Sequence, residues 1–196
     1  MPRRVALVAG VMTAISAAYV LVNHVHLRAP VLLPLSFVDR AVPFSPWAMS
    51  LYLSHFVFLP FALLLVRSES VFFRGLKAMA ISTGIACVVF VAYPTTFPRV
   101  ESSGFWFAAL NWIDTPANCF PSLHVAMAAI AAWVLREDGR PWAPAAAVWA
   151  ALIIASTVLV KQHYAVDSVG GLLLAAASAR LASRPAPQTV PAGEPA

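Results

Sequence analysis

The sequence predicts an all-α protein, a polytopic membrane helix bundle of about six transmembrane helices. Of its 196 residues, 61% are hydrophobic and 11% are charged, whereas soluble domains carry about 25% charged residues. A chain with so few polar side chains cannot cover the surface of a water-facing globule, so we expect lipid around it. Several apolar runs also approach the roughly 20 residues that a helix needs to cross a bilayer.

Six apolar runs are the candidate membrane-spanning helices. The first follows Arg3 and Arg4 and also resembles a signal peptide with small residues at 16–18. Its apolar character continues through residues 19–22, which favours an uncleaved helix. Segment 26–45 is broken by prolines and is predicted to lie in the membrane interface. The predicted spans are 5–25, 46–66, 78–93, 122–135, 143–160 and 164–181.

The chain is predicted to hold one transmembrane domain over residues 1–182, since no internal repeat or second domain is visible. Residues 183–196 are rich in proline and are predicted to form a disordered cytoplasmic tail. With six spans, both termini lie on one side, together with nine of the 13 Lys and Arg residues. The positive-inside rule makes that side cytoplasmic.

The net charge of +5 is therefore attributed to topology and to contact with anionic membrane lipids. No basic run with interleaved aromatic residues indicates nucleic-acid binding. Arginine outnumbers lysine by eleven to two, which together with abundant alanine indicates a GC-rich bacterial genome. The expected location is then the inner membrane, with the outer face in the periplasm. Cys87 and Cys119 have no metal-binding spacing, so no zinc is expected.

Three polar clusters lie at span ends on the predicted outer face, and ionisable groups at membrane depth are costly and tend to be functional. His163 and Asp167 in the third cluster are spaced i, i+4 and share one helix face. A carboxylate on one imidazole nitrogen fixes the tautomer and leaves the other nitrogen as a nucleophile. The pair could instead only satisfy two polar groups on a helix surface. The clusters are 93–99, 120–124 and 161–167.

The middle cluster, residues 120–124, has the sequence features of a helix start. Ser122 after Pro121 is a predicted N-cap, and the amides of such a first turn, with the helix dipole, bind anions. His124 lies in the same turn, where it could give a proton to a leaving group. An ordinary capped helix with an interfacial histidine is the alternative. Arg99 and Lys161 are predicted phosphate ligands, or else interfacial anchors.

These clusters resemble the type 2 phosphatidic acid phosphatase (PAP2) superfamily of membrane enzymes, most closely its branch related to inositol phosphorylceramide synthases. Phe120-Pro-Ser-Leu-His124 resembles the second motif, and Lys161-Gln-His163 with Asp167 resembles the third. The resemblance implies that His163 attacks phosphorus, Asp167 orients it and His124 protonates the leaving oxygen. Ser122, Arg99 and Lys161 would hold the phosphate, without a metal or other cofactor.

Two positions depart from the family pattern. The first motif has a lysine seven residues before its arginine, where this chain has Ala92. The third motif has an arginine six residues before its histidine, where this chain has Thr157. Lys161, close to His163 in sequence, could compensate for the missing arginine.

The favoured function is a phosphatase that acts on a lipid-linked phosphate through a phosphohistidine. A phosphotransferase that replaces water by a lipid or polyol hydroxyl shares the first half-reaction; short outer loops favour hydrolysis. A transporter or lipid-binding scaffold lacks support, because no repeated halves are visible. A metal site of His124, His163 and Asp167 is a further alternative. His55, inside the second span, could line the pocket or make a helix–helix hydrogen bond.

Overall fold

The computed structural model describes residues 1–98, 100, 104–113 and 117–185, and shows an all-α helix bundle. A 3-10 turn lies at Pro46–Ala48, and the short strands β1 (Val31–Leu32) and β2 (Thr95–Thr96) pair in parallel. The helices are α1 (Pro2–Val22), α2 (Phe37–Ala41), α3 (Met49–Leu53), α4 (His55–Leu65), α5 (Glu69–Ala92), α6 (Phe105–Ile113), α7 (Leu123–Glu137), α8 (Ala143–Leu159) and α9 (Ala165–Ser183).

Four segments of the described chain are long and apolar enough to cross a membrane: α1, Pro46–Leu65, α5 and α9. The apolar helix α8 is shorter, and α7 has 15 residues. The predicted class of membrane helix bundle is confirmed, whereas the count of six spans stays a prediction. Most of the tail, residues 186–196, lies outside the described residues.

Two helices differ from their predicted bounds. Helix α5 begins at Glu69, nine residues before the predicted 78, because Ser68 caps it by accepting a hydrogen bond from the Val71 amide. Its first turns are charged, which hid them from a hydropathy pattern; Arg74 there pairs with Glu137 at 3.6 Å. The predicted span 46–66 is divided at Ser54, which ends α3 and precedes α4.

Helix α7 is the centre of the bundle and packs against α4, α5, α8 and α9. Val125, Ala128, Ile130 and Val134 are fully buried along it. Because protein surrounds α7, its short length fits a helix enclosed by other helices. Helix α1, in contrast, lies at the periphery against α4 and α5, and only Val8 of it is buried.

The connections that carry the polar clusters meet at one end of the bundle. Val31 pairs with Thr95 across the two strands, and Thr95 also bridges to Asn118. The end of α5 is thereby tied to the segment before α7. This end holds the candidate site.

Candidate functional site

Phe97 of the first polar cluster and Tyr164 of the third share an apolar contact with Cys119, which directly precedes the second cluster. The Tyr164 hydroxyl donates a hydrogen bond to the carbonyl of Pro98 (2.9 Å), and the Phe120 amide donates one to Thr95 Oγ1 (2.9 Å). The structure therefore brings the three segments together. Arg99, the predicted phosphate ligand that follows Pro98, lies outside the described residues.

Ser122 is the N-cap of α7, as the sequence predicts, and its hydroxyl accepts a hydrogen bond from the Val125 amide (3.3 Å). It is fully buried, so capping is its observed role, and direct phosphate binding stays a prediction. The start of α7 also lies very close to α9: a Cβ added to Gly171 would stand 2.5 Å from the Ser122 carbonyl oxygen. Only glycine permits this approach.

His163 and Asp167 are neighbours, as their spacing predicts. His163 Nδ1 lies 3.4 Å from Asp167 Oδ2, which also accepts the Tyr164 amide at 3.0 Å. Asp167 is fully buried and His163 nearly so. The contact leaves the Nε2 side of the His163 ring away from the carboxylate, which is the arrangement of an oriented nucleophile.

His124 lies near His163, with 6.3 Å between the ring centroids. Its closest aromatic neighbours are Tyr52 and His55, whose centroids are 4.4 Å and 4.2 Å from that of His124. Within the described chain, His124 Nε2 and His55 Nδ1 are buried without a hydrogen-bond partner. The close contact between His55 and His124 was not predicted. The only feature of the sequence that pointed to His55 is that it is a histidine inside an apolar span.

Lys161 makes contacts that the sequence did not predict. Its Nζ donates hydrogen bonds to the carbonyls of Asp39 (2.9 Å) and Val42 (2.6 Å), and its backbone is left-handed with φ of 56°. The ammonium thus ties the α2 segment to the turn before His163. These bonds favour a structural role for Lys161, and its role as a phosphate ligand stays a prediction.

Asp39 is a buried carboxylate that the sequence analysis assigned to an interfacial segment. Its Oδ1 accepts the Ala165 amide (2.7 Å), and its Oδ2 accepts the Ser36 amide and hydroxyl. Burial raises the pKa of this carboxyl, but the hydrogen bonds from Ser36 and Ala165 and the charge of Lys161 outweigh burial, so the pKa lies below the ordinary 3.8. Asp39 therefore holds the first turn of α9 as an anion.

An apolar cavity of about 440 Å³ leads to the histidines. Its walls come from α1, α3, α4, α6 and α7, with aliphatic side chains such as Val8, Met12 and Leu59 along its length. His55 and His124 line it too. Among the described residues, no cluster of three or more His, Cys, Asp or Glu side chains is placed to hold a metal ion.

The family of the chain is shown by comparison with known proteins. A family model described as the PAP2 superfamily matches residues 23–181, a range that includes all three polar clusters. No curated protein and no solved structure matches the chain.

Proposed function

Because this chain belongs to the PAP2 superfamily, whose members are phosphatases and phosphotransferases, we propose that it is a membrane lipid phosphate phosphatase. It hydrolyses a lipid-linked phosphate at the outer membrane face through a phosphohistidine on His163. The family match and the apolar helices support a membrane enzyme of phosphatase type. The lipid substrate, the intermediate and the orientation are part of the proposal.

The observation that carries the proposal is the position of His124. It lines an apolar cavity and stands 6.3 Å, ring centroid to ring centroid, from the Asp167-oriented His163. A hydrocarbon chain fits the aliphatic walls, which places the phosphate at the polar end. At this separation, both imidazoles can reach a phosphorus held between them.

In the first half-reaction, His163 Nε2 attacks phosphorus and the bond from phosphorus to the lipid oxygen breaks. His124 gives its proton to that oxygen, and the lipid leaves as an alcohol. Asp167 stabilises the positive charge that the His163 ring acquires. In the second half-reaction, water attacks the phosphohistidine while His124 takes the water's proton, which releases inorganic phosphate and restores both rings.

The phosphate is held by the first turn of α7, where backbone amides and the helix dipole favour an anion. Ser122 fixes this turn by capping it. Arg99 is proposed to pair with the phosphate oxygens, in the bidentate way that arginine favours. Lys161 adds positive charge near the third cluster while its Nζ holds α2.

One observation favours the second candidate, a phosphotransferase of the inositol phosphorylceramide synthase type. Lys161 is bonded to backbone carbonyls, and Thr157 stands where the family motif has an arginine. A phosphodiester carries one negative charge, whereas a phosphomonoester carries about 1.5 to 2. A site with fewer cations suits the diester, whose phospho-headgroup would pass to a lipid or polyol hydroxyl.

The test is to incubate purified protein with labelled phosphatidate, a prenyl phosphate and a phosphatidylinositol, each with and without a polyol or ceramide acceptor. We expect free phosphate from a monoester. A new phosphodiester that appears only when an acceptor is present would show that the protein catalyses transfer and not hydrolysis. Absence of both products across the panel would contradict the proposed function.

Rapid quenching with labelled substrate tests the two histidine roles. His163→Ala should form no acid-labile phosphoenzyme. His124→Ala should lose about 10²–10⁴-fold in turnover, the range for general acid catalysis. This loss should shrink with p-nitrophenyl phosphate, whose leaving group needs little protonation. Label on His124, or normal turnover by His163→Ala, would reverse the assignment.

A further inference from the structure

The ring of Tyr52 stacks on that of His124 and the tilted ring of His55 packs against it, and we call these three residues the ring stack. The Tyr52 ring is within 16° of parallel to that of His124, and the His55 ring within 31°. We propose that His55 is a positioning residue: with Tyr52, it fixes the orientation of the His124 ring for proton transfer to the leaving oxygen. This inference rests on the proposed function.

Burial of His55 is costly, which is the first support for a role beyond packing. Its side chain is only 5% exposed, and Nδ1 has no hydrogen-bond partner in the described part of the chain. A buried polar atom without a partner is destabilising, and such atoms are rare in folded proteins. An apolar side chain of similar size would avoid this cost. The sequence left open that His55 makes a helix–helix hydrogen bond, but its Nδ1 makes none.

The need of His124 for positioning is the second support. His163 is oriented by the Asp167 carboxylate, but His124 Nε2 has no hydrogen-bond partner among the residues that the structure describes. The plane of the His124 imidazole is instead held by ring contacts. These come from Tyr52, His55 and the edge-on ring of Phe56, whose centroid is 5.7 Å away. The orientation of the acid therefore depends on stacking.

The ring stack also links the cavity to the chemistry. Tyr52, His55 and His124 all line the apolar cavity, and Tyr52 and His55 lie on either side of the break at Ser54. The break allows α3 and α4 to present both rings to one histidine. A displacement of about 1 Å in a catalytic group can cost about 10²-fold in rate, so loss of one stacking ring is expected to have a large effect.

The experiment compares His55→Ala and His55→Phe with wild type on phosphatidate and on p-nitrophenyl phosphate. For His55→Ala, we expect kcat on phosphatidate to fall by about 10²-fold with KM little changed, and a much smaller fall on p-nitrophenyl phosphate. His55→Phe, which keeps a ring, should recover most of the rate. His24→Phe, at an exposed histidine outside the cavity, is the matched control and should behave as wild type.

A double variant decides whether His55 acts through His124. Combined with His124→Ala, the His55→Ala change should cost nothing further, because coupled residues are not additive. If His55→Ala does not fold, Tyr52→Leu removes the other ring of the ring stack that contacts His124. It should show the same dependence on the leaving group. Equal losses on both substrates, or additive losses in the double variant, would overturn the inference. If His124→Ala itself shows no dependence on the leaving group, the proposed mechanism fails instead.

Discussion

The backbone amide of Ser122 donates a hydrogen bond of 3.1 Å to the backbone carbonyl of Asp167. This bond joins the start of α7 to the start of α9, and so joins the helix that carries His124 to the residue whose carboxylate contacts His163. Gly171, one turn further along α9, lies against the Ser122 carbonyl. The relative positions of the two histidines thus depend on a close backbone contact between two helix starts.

Gly171→Ala should damage this contact. The new Cβ would stand 2.5 Å from the Ser122 carbonyl oxygen and 2.8 Å from Val125 Cβ, so α7 and α9 must separate. We expect a loss of about 1–3 kcal/mol in the free energy of unfolding, the usual cost of overpacking, and lower turnover. Gly84→Ala is the control, because nothing lies within 4 Å of its Cβ. That variant should gain roughly 0.5–1 kcal/mol. Thermal unfolding of both variants is measured in detergent, and equal effects of Gly171→Ala and Gly84→Ala would contradict the packing explanation.

Asp167→Asn should preserve the fold and weaken the nucleophile. An asparagine oxygen can still accept the Tyr164 amide, but the charge that fixes the His163 tautomer is lost. We expect turnover to fall by about 10²–10⁴-fold, with slower formation of the phosphoenzyme in rapid-quench experiments. Asp138→Asn, whose carboxylate accepts the amides of Arg67 and Ser68, should leave turnover unchanged. Full activity in Asp167→Asn would exclude its orienting role.

Asp39→Ala should destabilise the protein at neutral pH, because the amides of Ala165 and Ser36 lose the carboxylate that accepts their part-buried hydrogen bonds. The expected cost is about 1–3 kcal/mol. The folded-state pKa of Asp39 lies below 3.8, so its stabilising contribution is present above that pH and declines as the pH falls below it. Denaturant unfolding is measured at pH 7 and near pH 3. The difference in the free energy of unfolding between wild type and Asp39→Ala should be smaller at the acidic pH.

The control for Asp39→Ala is Glu137→Ala, which removes a half-exposed ion pair with Arg74. Such pairs contribute about 0–1 kcal/mol, so a small effect is expected. A gap between wild type and Asp39→Ala that widens in acid would show that the carboxylate is not stabilised as an anion.

Activity should survive excess chelator and should be inhibited by vanadate, which mimics pentacoordinate phosphorus. The physical reason is that the proposed nucleophile is a histidine, and that Arg99, Lys161 and the helix amides are expected to neutralise the phosphate charge without a divalent cation. The measurement is phosphate release with and without EDTA. Activity lost in chelator and restored by a divalent ion would contradict the metal-independent mechanism.

Labelling of single cysteines tests the orientation, starting from a variant in which Cys87 and Cys119 are alanine. Gly104 and Glu137 are exposed; Gly104 directly precedes α6 and Glu137 is the last residue of α7, at ends predicted to lie on opposite sides of the membrane. Gly104→Cys should react with a membrane-impermeant thiol reagent in intact cells, whereas Glu137→Cys should react only after permeabilisation. The reverse pattern would invert the topology that the positive-inside rule predicts.

The helices and the outline of the site could be predicted from sequence because their signals are local. Apolar runs identified the bundle, a serine after a proline identified the cap of α7, and the i, i+4 spacing identified the His163–Asp167 pair. The contacts of Asp39 could not be predicted, since its partner amide at Ala165 lies 126 residues away. The stacking of His55 on His124 likewise depends on how two helices pack, which a hydropathy pattern does not contain.

Helix α1 forms one wall of the cavity while burying little more than Val8. As a peripheral helix of a membrane bundle, α1 separates the cavity from the expected lipid. For the proposed lipid phosphatase, we expect the two products to leave by different exits: the alcohol sideways into the leaflet, and inorganic phosphate to water. Substrate supply to such a site is governed by the mole fraction of the lipid in its leaflet, so kinetics should follow surface dilution rather than bulk molarity.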